Sequence, residues 1–242
     1  MHTLYLGPSW AVQSYESWNG DTDTIKTNLA QELRLENYTQ LANYSESNMR
    51  QLNRAIEFMQ QHPELAPFRL LFVMSSSLHD APVLRSGTRE EFAMVFLRSK
   101  NPIDLLQDLE RGFYDRICQL GIPVGLIGAH TDVVDYDFPP HVTVIHPSWQ
   151  NFLGNQSGLD PFLGWPCEIA NLWLQGRLDY GRHIPMVDPS KELVFEIDQQ
   201  FKRWDILEQN KLWCGVHPNL RGNQLFAKHI ADSFNKWIDN VA

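Results

Sequence analysis

The stretch Phe68 to Met74, FRLLFVM, narrows the fold more than any other part of the chain. A nearly continuous apolar run of this kind is the signature of a central strand covered on both faces, whereas a strand with one wet face alternates. Cover on both faces calls for helices above and below a parallel sheet. Ile122 to Ala129 (IPVGLIGA) and His141 to Ile145 (HVTVI) read the same way. Thr3 to Leu6, stopped by Gly7-Pro8, and the short Tyr38 to Ala42 complete the set of strands.

Amphipathic stretches lie between them. Thr24 to Leu35 carries Ile25, Leu29, Ala30 and Leu33 at helical spacing. Ser47 to Gln61 places Met49, Leu52, Ile56 and Met59 on one face, with Ser47 as its cap. Asn101 to Leu120 opens on an Asn-Pro pair and closes at Gly121. Lys191 to Gln209 and Asn223 to Val241 supply the last helices, the final one with a buried stripe of Leu225, Phe226, Ile230, Phe234 and Ile238. This alternation predicts a three-layer α/β/α sandwich around a central parallel sheet of about five strands, in one domain. Pro147 to Pro189 is rich in Gly, Pro and Trp with little periodicity, and reads as an irregular, lid-like insertion within residues 1–242.

Composition excludes several classes of function. A formal charge of −9 argues against a nucleic-acid partner, because phosphate binding needs a basic surface. No apolar run approaches the roughly 18 residues of a membrane span, and the opening MHTLYLGPSW lacks the pattern of a signal peptide, so a cytoplasmic protein is expected. Cys118, Cys167 and Cys214 are far apart and show no metal-binding spacing; they read as buried free thiols. With no HExxH, clustered carboxylate ligands, GxGxxG or GxxxxGK[ST], neither a metal nor a nucleotide cofactor is expected.

Parallel sheets place their sites at the carboxyl ends of the strands. At the first such end stands Gly7-Pro8-Ser9-Trp10, and near the other end of the chain Cys214-Gly-Val-His217-Pro-Asn leads into the last helix. Serine is a weak nucleophile at neutral pH and needs an adjacent base, for which imidazole is the usual choice. Each motif alone is an ordinary turn. Together and in this order they resemble the SGNH (GDSL-like) hydrolase superfamily, whose first block is a Gly-Asp-Ser turn after the first strand and whose last is Asp-x-x-His before the terminal helix.

That resemblance covers nearly the whole chain in order, through short motifs. It implies a flavodoxin-like SGNH fold with Ser9 as nucleophile and His217 as base. LANYSESNMRQL, Leu41 to Leu52, is similar to the second block and puts Ser45 at the oxyanion-hole glycine. The third block departs: Ser75-Ser76-Ser77-Leu78-His79-Asp80 follows the FRLLFVM strand where the family has an asparagine. The oxyanion donors implied are therefore the Ser9 and Ser45 backbones and a group from Ser75, Ser76 or Ser77. Pro8 replaces the Asp of the first block, and Cys214 stands where the triad aspartate belongs. Trp10, His79, His130 and Asp132 are expected around the pocket; strand-end turns are the commoner role of the last two. His146-Pro147 ends a strand in the same way, and of the eight tryptophans Trp149, Trp165 and Trp173 fall in the irregular segment, where they wall a cleft or, more commonly, pack a core.

The resemblance implies an ester substrate, small or carried on an acetylated carbohydrate, taken by a hydrolase or acyltransferase. Cys214 and the missing asparagine equally suit a catalytically silent module of the same fold that binds a ligand or serves assembly. The oligomeric state has no signature in the sequence.

Overall fold

The computed structural model describes residues 1–13, 27–43, 47–74, 102–129, 133, 135–157, 212–214 and 217–241; for 102–107, 109, 150, 157, 213, 214 and 217 this covers the backbone. Five strands form one sheet: β1 (His2–Leu6), β2 (Tyr38–Gln40), β3 (Phe68–Met74), β4 (Val124–Gly128) and β5 (Val142–His146). Their order is β2-β1-β3-β4-β5 and every pairing is parallel. This is the doubly wound arrangement expected from the apolar runs.

Alternation along the strands separates two cores. Leu4, Leu6, Leu70, Phe72 and Leu126 point to one face, where they meet Leu52 and Ala55 of α3 (Asn48–Gln61) and Phe113, Tyr114 and Ile117 of α4 (Pro102–Cys118). Tyr5, Leu71, Val73 and Ile127 point to the other. That face is covered by α1 (Ser9–Val12), α2 (Leu29–Glu32), α5 (Trp149–Ser157) and α6 (Leu220–Asn240). Because β3 is buried along its whole length, its apolar run lacks the alternation of a half-wet strand. Among the described residues no helix is long and apolar enough to cross a membrane.

Local signals set the helix ends. Ser47 caps α3 by accepting from the Arg50 N–H at 3.2 Å, as its position predicted. Gly121 takes the left-handed φ of 65° past the end of α4. The expected helix Thr24 to Leu35 is much shorter among the described residues, α2 alone. Asn28 and Gln31 form a reciprocal capping box that starts the helix there, and Leu33 closes it. The last helix starts earlier than its apolar stripe suggests, because Asn219 accepts from the Gly222 N–H at 2.9 Å. Its buried face is also rotated: Asn223, Phe226, Ile230, Phe234 and Trp237 are inside, while Leu225 and Ile238 only flank the core.

The segment 147–189, expected to be irregular, opens with α5, whose Trp149 and Leu153 are buried. Residues 158–189, with Trp165 and Trp173, lie outside the described residues, as does the expected helix Lys191 to Gln209. A short antiparallel hairpin, β6 (Trp213–Cys214) and β7 (His217–Pro218), precedes α6.

Candidate active site

In a sheet of this order the chain leaves β1 and β3 in opposite directions. The crevice between their carboxyl ends is the place where ligands bind in such folds. Gly7 stands there with almost no space around it. A Cβ on Gly7 would lie 2.5 Å from the Ala11 Cβ and 2.7 Å from the Val73 Cβ, so only glycine lets β1 turn this close to β3. The turn delivers Ser9, half-buried, to the first position of α1. Pro8 caps that helix through its carbonyl, which accepts from the Ala11 N–H at 2.8 Å.

Side-chain packing, not helical propensity, holds the four-residue α1 in place. Trp10 is 1% exposed and sits edge-on to Trp149 at 5.5 Å between centroids. Trp149 in turn stacks on Phe226 at 4.5 Å with the planes 7° apart. Trp10, expected around the pocket, is a core residue, and Trp149 takes the core role that was the commoner of its two expected ones. Their effect on the site is indirect, through the placement of Ser9.

The chain after β2 folds over the same strand end. The Leu41 and Ala42 N–H groups donate to the Tyr5 carbonyl, and Asn43 N–H donates to the Gly7 carbonyl at 3.1 Å. Arg54 of α3 reaches back to the Leu41 carbonyl at 3.0 Å. Ser45 follows this extension and precedes the capped start of α3, but lies outside the described residues, as do Ser75, Ser76, Ser77, His79, His130 and Asp132.

His217 enters from the hairpin. In its register Cys214 is the Cα partner of His217. β7 runs beside α1, with Cα atoms of the two elements within 8 Å of each other. The structure thus brings together the two elements that carry Ser9 and His217, although they are separated by most of the chain. The turn after His217 is fixed from several sides. Asn219 N–H donates to the Leu212 carbonyl at 3.0 Å, and Gly222 lies so near that carbonyl that a Cβ would come within 2.4 Å of it. Asn223, fully buried, donates from Nδ2 to the carbonyls of Pro218 at 3.3 Å and Asn219 at 3.2 Å.

A second histidine cluster lies at the carboxyl end of β5. Nδ1 of His146 accepts from the Ser148 N–H at 3.1 Å, which puts the ring proton on Nε2. That Nε2–H donates to Nε2 of His229, 3.2 Å away, and His229 stacks on Phe152 at 4.1 Å. Burial, with His229 adding to it, lowers the His146 pKa from 6.5 to about 4. With its proton fixed on Nε2, His146 has no lone pair to offer a cation there. No cluster of three or more metal-ligating side chains occurs among the described residues.

Sequence reasoning missed Asn223 and His229. Asn223 did carry a signal, since it is a polar residue one turn before Phe226 on an otherwise apolar stripe. His229 carried none, because its partner comes from a strand 83 residues away. No protein-family model matches the chain, and a search of curated proteins finds no match.

Proposed function

We propose that the protein is a serine hydrolase or acyltransferase acting on an ester, with acetylated carbohydrates among the substrates to test. One observation carries the reading: α1, which begins with Ser9 at the β1/β3 crevice, lies beside the strand that bears His217. The resemblance of both motifs to the first and last blocks of the SGNH superfamily supports it.

In the proposed reaction the Ser9 Oγ attacks the acyl carbonyl while His217 takes its proton. His217 then gives that proton to the departing alkoxide. Water, activated by the same imidazole, cleaves the acyl-enzyme and regenerates Ser9. Backbone N–H groups of Ser9 and Ser45, with a donor from Ser75 to Ser77, hold the oxyanion; one such donor is worth about 10²–10³ in turnover.

A second reading, a catalytically silent module of the same fold, draws on Cys214. A thiol is the register partner of His217 where a carboxylate would orient the imidazole, and loss of that carboxylate costs a serine protease about 10⁴. Labelling with a fluorophosphonate, followed by peptide mapping, separates the two. The hydrolase reading expects modification at Ser9 that disappears in Ser9→Ala and falls sharply in His217→Ala. A folded protein that leaves Ser9 unmodified would falsify it.

A further inference from the structure

The four residues of α1 begin with Ser9, and so short a helix cannot hold its own position. Trp10 anchors it from the core side. Its far end is met from β2. Gln40, an exposed residue at the end of that strand, donates from Nε2 to the Val12 carbonyl at 3.2 Å. Val12 is the last residue of α1, so this carbonyl has no partner within the helix.

The amide of Gln40 is itself aimed. Its Oε1 accepts from Nδ2 of Asn28 at 2.6 Å, and Oδ1 of Asn28 accepts from the Gln31 N–H at 3.0 Å. Asn28 is buried and caps α2 through the same oxygen. The chain of bonds therefore runs one way, from a backbone donor in α2 through two carboxamides to a backbone acceptor in α1. One end is an N–H that only donates and the other a C=O that only accepts. Neither amide can be turned over without breaking two bonds.

We infer that Gln40 is a positioning residue for Ser9: by holding the Val12 carbonyl against the end of β2, it sets the seat of α1 and so the placement of that helix's first residue. The inference rests on the reading of Ser9 as the nucleophile. β2 continues into Leu41, Ala42 and Asn43, whose N–H groups bond the Tyr5 and Gly7 carbonyls, and in the sequence Ser45 follows two residues later. Gln40 thus ties α1, which carries the Ser9 backbone donor, to the segment that leads to Ser45, the other backbone donor of the proposed oxyanion hole. Such donors have to meet one oxygen at about 2.7–3.1 Å, so their spacing matters. A misplacement of about 1 Å costs on the order of 10²-fold in rate.

Two substitutions at this exposed position separate its bonds. Gln40→Glu still accepts from Asn28 but turns a carboxylate oxygen toward the Val12 carbonyl. Gln40→Lys supplies a donor to that carbonyl and gives up the bond from Asn28. Each is followed by the rate of fluorophosphonate labelling at Ser9 and by NMR amide exchange of Ala11 and Val12, whose N–H groups bond the Pro8 carbonyl. Gln40→Glu should slow labelling at least tenfold and speed exchange at Ala11 and Val12 by a similar factor. Leu33, whose N–H bonds the Leu29 carbonyl of α2, should exchange as in the wild type. Gln40→Lys should bring labelling and exchange back to within about threefold of wild type. Labelling of Gln40→Glu at the wild-type rate, or equal slowing by Glu and Lys, would overturn the inference. So would exchange at Leu33 that quickens in step with Ala11, the mark of general loosening. The expected exchange pattern in a protein whose Ser9 never reacts would instead sink the hydrolase reading and leave the seating of α1 by Gln40 standing.

Discussion

Acidification should loosen the join between the end of β5 and α6 through the His146–His229 pair. The folded chain keeps His146 neutral: its Nδ1 is occupied by the Ser148 N–H and its Nε2–H by His229. In the unfolded chain the ring takes up a proton near pH 6.5, whereas in the folded chain it does so only near pH 4. Between those values the unfolded state binds more protons, so stability rises with pH there. The contribution is complete above about pH 6.5 and is lost progressively as pH falls toward 4. Taken at face value the displacement corresponds to at most about 3 kcal/mol. The ring is only half-buried, and solvent screening brings the expected figure to about 1–2 kcal/mol. Other groups titrate in the same range, so the informative quantity is a difference between proteins. His146→Asn keeps an acceptor for the Ser148 N–H but cannot titrate. Urea unfolding at pH 7.5, 6.5, 5.5 and 4.5 should give the wild type a fall in stability steeper than that of the variant by about 1–2 kcal/mol. Parallel curves for the two proteins would refute the reasoning, since they would mean His146 is as easily protonated folded as unfolded.

Three further outcomes follow from the site. Gly7→Ala drives a methyl group against Ala11 and Val73 and should destabilise the fold by about 2–4 kcal/mol, read as a shift of the urea midpoint. Asn219→Ala removes the cap of α6 and should cost about 1 kcal/mol, measured in the same way. Cys214→Asp puts a carboxylate opposite His217 and should raise turnover of a p-nitrophenyl ester by an order of magnitude or more. An unchanged rate in a folded Cys214→Asp protein would mean that His217 already has its orienter or does no such chemistry.

The strands were legible because each announces itself over its own length. FRLLFVM and IPVGLIGA are apolar throughout since both faces are covered, and that property survives any detail of packing. Helix limits were less legible where a cap outranks the apolar spacing. Asn28-x-x-Gln31 sets the start of α2 inside a longer periodic stretch, and Asn219 starts α6 ahead of its stripe. Ser9 was legible as a strand-end residue, and His217 as part of a turn before a helix. That the elements carrying them lie side by side was not, because it depends on the hairpin, on the contact of α1 with β7, and on Trp10 finding Trp149 across the chain. The clamp by Asn223 needed three-dimensional neighbours too: a lone polar residue on an apolar stripe signals an exception without saying what it binds.

The Trp10–Trp149 contact also has an optical consequence. Two indoles held edge to face at 5.5 Å, both sealed from water, are close enough for their excited states to couple. Such a pair contributes a paired positive and negative band to the circular dichroism spectrum, and its sign and size depend on the angle between the rings. Because Trp10 adjoins Ser9 in the chain, that couplet reports on the seating of α1 with no label attached. A spectrum recorded before and after acylation of Ser9 would therefore read whether the turn moves when the serine is occupied.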